Sequence, residues 1–496
     1  MLVSLVLLQL LATTPGPLGT VTPGPHAVGF SQRWLIDSTR RLPGGKSEWP
    51  AYRPVLLNLW YPTDTRRGAT MRYRDYFDGA ERAATPGTKL AAYAKALIDY
   101  QRGVAVSELV SAPRDSLPPA VRARLDALFN GSTTVRRDAP RKRGEWPVVF
   151  YQSGAGSSYD DNIVLIELLA SHGYLVVGSA FPREDNSDFG TSLRDDSRQR
   201  DHRRLLLELQ RLPGITLGPV VAIGHSLGAQ AMLAYVSDPS ATIDAVLALD
   251  TTQDYVTLAD NTWAYFTDRA VEFRADIRKP IVFAAGPEAL FELADSLKVA
   301  PRWLVTAPHL DHNDFISQGV LSREIVRDDT VAMASARRGY EALNRYIVDW
   351  VADFVRNGTA MNGPTALAPL HVAHAAPGSD VPAHSVGQPP TARVVRHLFS
   401  SGDAQFMTAF TAMRATMEAD EAVGVLTMLL TGAIARNDTA RALGTLRQVH
   451  QADSTLSAAV LARVDGRAKL WARIQAKDLA ATWRRYHEVM VGAAGR

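Results

Sequence analysis

The segment of this chain best equipped for chemistry is Gly224-His225-Ser226-Leu227-Gly228. An apolar run, Pro219-Val220-Val221-Ala222-Ile223, leads into it, and a helix-like run from Ala229 to Val236 leads out. That is the strand-turn-helix setting in which a glycine-flanked serine becomes a nucleophile elbow. The turn is tight enough to force the serine into a strained backbone conformation. Only small residues two positions to either side avoid a clash, which accounts for Gly224 and Gly228. The hydroxyl is left at the C-terminal edge of a sheet beside a helix N-terminus, where backbone N–H groups can stabilise an oxyanion. A surface serine that happens to lie between glycines is the bland reading, and the flanking strand and helix count against it. The chemistry to expect is hydrolysis through a nucleophilic serine.

Such a serine needs an acid and then a histidine downstream, plus an oxyanion donor from an upstream strand-to-loop junction. The histidine is sought in Pro308-His309-Leu310-Asp311-His312-Asn313-Asp314-Phe315, a polar loop behind the last strand-like run, Trp303 to Thr306. His312 is preferred and His309 held in reserve. With twelve histidines in the chain, neither would stand out by type alone, but the loop falls at the sheet edge that carries the serine. An imidazole titrating near neutrality suits a group that takes the serine proton and later returns it.

Two acids compete. Asp250 ends the apolar run Ala245-Val246-Leu247-Ala248-Leu249, whereas Glu288 follows the next such run, Pro280 to Ala285. A carboxylate directly behind a buried strand points into the site, which favours Asp250. The ordinary reading of Glu288 is a solvated first-turn residue of a helix from about Glu288 to Leu297, where the helix dipole favours it. The upstream donor is sought in Gln152-Ser153-Gly154-Ala155-Gly156-Ser157-Ser158, a small-residue loop behind the run Trp146 to Tyr151. Its glycines let backbone approach a substrate closely. The oxyanion is assigned to the N–H groups of Ala155 and Leu227, against the plainer reading of a generic strand-to-helix turn.

Taken together, Trp146-Pro147-Val148-Val149 leading to Ser153-Gly154-Ala155-Gly156, then Ala170-Ser171-His172-Gly173-Tyr174, the elbow, Leu247-Ala248-Leu249-Asp250 and His312-Asn313-Asp314-Phe315 resemble one family. It is that of the plasma-type platelet-activating-factor acetylhydrolases and their dienelactone-hydrolase-like bacterial relatives, which have the α/β-hydrolase fold. Gly24-Pro25-His26-Ala27-Val28-Gly29 and Asn58-Leu59-Trp60-Tyr61-Pro62 extend the resemblance, which covers roughly residues 24–356. It implies that the acid follows the strand after the nucleophile, hence Asp250, and that the base precedes an Asn/Asp-Phe pattern, hence His312. It also implies a carboxylesterase without metal or cofactor that cleaves short or oxidised acyl chains from small-molecule or lipid-like esters. The chain departs from the family at Ser153-Gly154, where His-Gly is usual, and at Gly228-Ala229, where Gly-Gly is usual. With no cysteine in the chain, the thiol nucleophile of the dienelactone hydrolases proper is excluded.

The elements that must position these residues follow an α/β pattern. From Val148 onward short apolar strands alternate with helical stretches, as in Tyr174 to Gly178 followed by Ser192 to Leu212, which predicts a mostly parallel sheet flanked by helices. Ahead of it, Ala/Leu-rich stretches within residues 73–128 predict a helical insertion, either a lid that shapes the acyl pocket or a plain structural cover. The catalytic domain is set at residues 24–359, closed by a helix from Met333 to Phe354. A Pro/Ala/Gly-rich linker is expected at 360–392, with His371, His374 and His384 lacking metal-ligand spacing. A C-terminal all-α domain is expected at 393–496, with helical patterns at 394–399, 404–417, 422–435, 439–451 and 468–491. It is a bundle before it is a set of tetratricopeptide-like hairpins, and a candidate protein-binding module.

Composition excludes other classes. The 496 residues are 46% hydrophobic and 21% charged, as in ordinary globular proteins, and a formal net charge of +3 leaves no nucleic-acid footprint. The basic cluster Arg136, Arg137, Arg141, Lys142, Arg143 reads as a solvated loop, with transient contact to an anionic membrane surface as the alternative. Residues 1–23 open with an apolar run from Met1 to Ala12, too short to span a bilayer and followed by small residues and prolines. This resembles the apolar core of a secretory signal and predicts export to the periplasm or medium. The rival to an esterase is a catalytically silent hydrolase fold that serves as a scaffold through its helical C-terminus.

Overall fold

The computed structural model describes residues 22–42, 46–66, 69–112, 114–182, 189, 197–238, 240–255, 276–286, 289, 291–327, 329–365, 367–380, 406–414, 419–435, 438–473 and 477–494. Most of the apolar leader and the reserve acid Glu288 therefore lie outside the described residues.

Ten strands build one sheet among the described residues. They are β1 (Ala27–Arg41), β2 (Tyr52–Thr63), β3 (Val135–Arg137), β4 (Gly144–Gln152), β5 (Leu175–Gly178), β6 (Ile215–His225), β7 (Ala245–Leu249), β8 (Ile281–Ala285), β9 (Arg302–Thr306) and β10 (His371–Ala375). Their spatial order is β10-β9-β8-β7-β6-β4-β5-β2-β1-β3. The six central strands, from β5 through β9, run parallel, while β2 pairs antiparallel with both β5 and β1. This is the mixed, mostly parallel sheet of the α/β-hydrolase fold.

The parallel strands are apolar along their length because both faces are covered. In β7 and β8 every residue is buried. Alternate side chains serve opposite cores, as the two-residue strand period requires. Ala222, Val246, Ala248 and Phe283 pack with the helix Leu227–Val236, whereas Val221, Ile223, Leu247 and Leu249 join the larger core on the other face. That larger core also takes in the predicted insertion. Its helices Asp75–Arg82, Lys89–Val110 and Pro119–Asn130 contribute Phe77, Leu97, Ile98 and Leu125 to the same apolar cluster as Tyr151 and Leu343. The insertion is thus packed into the body of the domain.

Two readings of the sequence are corrected. The segment 360–392 is not linker throughout, since His371–Ala375 pairs antiparallel with β9 and becomes the sheet's edge strand. Its Ala/Val/His composition hid this, because only a partner strand supplies its hydrogen bonds. His374 stacks on Trp303 there, with ring centroids 4.6 Å apart. In the C-terminal region the expected helix 468–491 is two helices, Ser454–Arg473 and Lys477–Ala494. The first begins where Asp453 accepts the Leu456 amide at 2.9 Å, an N-cap that apolar periodicity did not expose. With Phe406–Arg414, Ala419–Ala435 and Thr439–Ala452 they enclose a core of their own around Leu426, Leu430, Val460 and Met490. Tyr486 is buried in that core and Trp483 packs against it.

A buried ion cluster ties β1 and β2 to the helix Ser197–Leu209. Asp201 accepts from Arg53 at 2.7 Å and from Arg40, which also bonds Asp37 at 2.7 Å. Removing its carboxylate would leave two enclosed guanidinium groups without their shared counter-charge. Asp201→Ala is expected to cost about 3–5 kcal/mol of stability, read from the urea midpoint of the catalytic-domain transition.

Candidate active site

Ser226 sits between β6 and the helix Leu227–Val236 with φ 54° and ψ −121°, a conformation that costs a non-glycine residue about 1–3 kcal/mol. Backbone packing holds it there. Its amide donates to the Leu249 carbonyl at 2.9 Å, and its carbonyl accepts from the Gln230 amide at 3.2 Å. A Cβ on Gly224 would fall 2.5 Å from the Ala229 nitrogen, and one on Gly228 only 2.2 Å from the Gln152 carbonyl oxygen. These contacts are main chain, so no side-chain rotation relieves them. Both glycines are required by the turn they flank.

The predicted acid and base are brought together. Asp250 directly follows β7 with φ 48°, is 2% exposed, and places its Oδ2 at 2.5 Å from the His312 Nδ1. His312 opens a 3₁₀ turn, His312–Phe315, whose entry is fixed by a reciprocal capping box between Asp311 and Asp314. Arg323 grips Asp314 through two hydrogen bonds of 2.8 and 2.7 Å and also bonds Asp311. Those partners, chiefly the hydrogen bond to Asp314, raise the proton affinity of the Arg323 guanidinium, so the anchor stays charged. His309, the reserve base, is exposed in the preceding turn at φ 69°.

The elbow's own histidine also holds the base. His225 is buried, and burial pushes its imidazole well below the ordinary value, so the ring is neutral. Its Nε2–H donates to the His312 carbonyl at 2.9 Å, and the two rings lie 4.7 Å apart at 38°. The elbow pattern by itself assigns His225 no role. Nor does the sequence mark Tyr255, whose hydroxyl bonds Asp250, or Arg323. A tyrosine five residues behind the acid and an arginine in the last turn of Ser317–Val326 give no pattern that points to them.

The expected oxyanion loop does border the serine. Gln152 pairs with Gly224 across β4 and β6, and a Cβ on Gly154 would lie 3.3 Å from both the Ser226 Cβ and the His225 Nδ1. Ala155 is half-buried in this loop, and Leu227 is buried as the first residue of the elbow helix.

Behind the loop lies a group of carboxyls that the sequence did not reveal. The Ser157 hydroxyl donates at 2.6 Å to Glu108 on the insertion helix Lys89–Val110. Tyr151 donates to Asp161 at 2.5 Å, and Tyr73 donates to Asp160. Burial pushes all three acids up, Glu108 well above its ordinary range and Asp161 to about 7, and repulsion from the neighbouring carboxyls adds to it for Glu108 and Asp161. The Ser157–Glu108 and Tyr73–Asp160 hydrogen bonds thus fasten the insertion to the segment beside Ser226.

No protein-family model and no curated protein matches the chain. Among solved structures it is similar to a ferulic acid esterase from Streptomyces cinnamoneus, at 17% identity over 71% of this chain and 98% of that one, with a TM-score of 0.45. It is similar also to a monoacylglycerol lipase from Paleococcus ferrophilus, at 15% identity over 42% of this chain and 96% of that one, with a TM-score of 0.30. Est1E from Butyrivibrio proteoclasticus follows at 12% identity, 38% and 89% coverage and a TM-score of 0.26. The sheet order and the elbow behind β6 define the class, an α/β-hydrolase fold.

Asp161 binds its proton more tightly folded than unfolded. Its contribution to stability is full below the ordinary 3.8 and is lost as pH rises through about 7. Asp161→Asn keeps an acceptor for Tyr151 and removes the titration. Denaturation at a series of pH values is expected to show a flatter fall in stability across that window than in the wild type.

Proposed function

We propose that the chain is a serine carboxylic ester hydrolase in which Ser226 is the nucleophile, His312 the base and Asp250 the acid that orients it. The observation that carries this reading is the 2.5 Å contact between His312 and Asp250 on the sheet edge where Ser226 is held at φ 54°. His312 takes the Ser226 proton as the hydroxyl oxygen attacks the ester carbonyl, and passes it to the departing alcohol. The N–H groups of Ala155 and Leu227 receive the oxyanion. A water activated by the same imidazole then attacks the acyl-serine and releases the acid. The scheme calls on no metal or cofactor.

Short-acyl or lipid-like esters are the proposed substrates, on the resemblance to the platelet-activating-factor acetylhydrolase and dienelactone-hydrolase-like family. Export follows from the apolar leader, and transient membrane contact from the lipid-like substrate class. The C-terminal helices are proposed to bind a protein partner.

Hydrolysis of p-nitrophenyl esters from acetyl to palmitoyl tests the reading. Wild type is expected to favour short chains, and Ser226→Ala to lower kcat/KM by about a thousandfold or more. A long-chain optimum would make the protein a lipase. Equal low rates in both proteins would favour the silent scaffold.

A further inference from the structure

A carboxylate that orients a histidine has two oxygens, and the second must be held if the first is to point steadily. In this site Asp250 turns Oδ2 to His312, while Oδ1 accepts the Tyr255 hydroxyl and, at 3.3 Å, the Gly286 amide. The same Gly286 amide reaches the Tyr255 oxygen at 2.6 Å. The phenol is therefore held by main chain leaving β8, while its O–H donates to the carboxylate leaving β7. Asp250 is further pinned there by its amide, which donates to the Ala284 carbonyl at 2.6 Å.

The neighbouring turn supplies a contrast. Asp254 is 0% exposed and precedes Tyr255 by one residue, yet among the described residues neither of its carboxyl oxygens has a hydrogen-bond partner. Burial first, and the charge of Asp250 second, push Asp254 well above the ordinary carboxylate range. Two carboxyls thus share one turn, and among the described residues it is Asp250 that receives the Tyr255 hydroxyl and the Gly286 amide. Tyr255 is the side chain that makes the difference.

We propose that Tyr255 is a positioning residue of the active site: its hydroxyl, anchored by Gly286, fixes the Asp250 carboxylate in the orientation that holds His312. This rests on the reading of Ser226, His312 and Asp250 as the reacting set. Tyr255 acts through Asp250, whose carboxylate its hydroxyl holds. Its ring packs against the core that contains Leu227 and Phe283, so the hydroxyl can be removed while the packing is kept.

Tyr255→Phe does this. On p-nitrophenyl acetate its kcat is expected to fall about tenfold with KM changed less than about twofold, the loss of one hydrogen bond to a charged group. The low-field proton resonance of the His312 Nδ1–H is expected to move upfield or broaden, a signature that ring packing would not alter. Wild-type kcat together with an unchanged resonance would overturn the proposal. Asp250→Asn, measured in parallel, separates the two levels. If Asp250→Asn loses activity and resonance while Tyr255→Phe keeps both, the role of Tyr255 fails alone. If Asp250→Asn keeps both, the assignment of the acid fails and the proposal falls with it.

Discussion

The site depends on how closely three stretches of main chain approach one another: the end of β4, the turn behind β6 and the start of the elbow helix. Gly228 lies so near the Gln152 carbonyl, and Gly224 so near Ala229, that neither position has room for a methyl group. That proximity forces Ser226 into its strained conformation and puts the loop from Ser153 beside it. The strain is supported by parallel-sheet pairing, since β4 pairs with β6 without a break from Val148 to Gln152, β6 pairs with β7 up to His225, and the Ser226 amide is bonded to Leu249 at the end of β7. A stable core therefore pays for one unfavourable residue.

The same sheet edge places the acid and the base. β7 delivers Asp250 and β8 delivers Gly286, so adjacency of two parallel strands becomes adjacency of a carboxylate and the amide that helps hold it. The base arrives from β9 on a turn that would be loose by itself. Its rigidity comes from Asp311, Asp314 and Arg323, and from His225, which reaches across from the elbow to the His312 carbonyl. Nucleophile and base are thus coupled through a neutral histidine as well as through any shared proton.

What could be read in the sequence was what short-range rules encode. The elbow was legible because its glycines, strand and helix are contiguous. Asp250 was legible because it ends an apolar run, and His312 because a polar loop follows the last one. His371–Ala375 was not, because an edge strand of mixed composition has no periodicity until β9 provides its partner. Tyr255, Arg323 and Glu108 were equally hidden. Each acts through a contact set by tertiary packing, and tyrosine, arginine and glutamate at those places would serve just as well on a solvated surface.

Environment, more than residue type, sorts the carboxyls of this domain. Asp201 is shared by two guanidinium groups and serves as a charged cross-link between strands and helix. Glu108, Asp160 and Asp161 accept from hydroxyl groups, and burial shifts each toward its protonated form, with Glu108 and Asp160 bridging the insertion and the serine loop. Asp254 lacks even hydroxyl donors among the described residues. Asp250 alone among these acids meets an imidazole, a phenol and a backbone amide together. A buried acid can orient a base only if it is enclosed enough to be fixed and supplied with enough donors to bear its charge. The ends of β7 and β8 meet both conditions at one residue, which is why, among the described buried acids, Asp250 is the one bonded to the His312 ring.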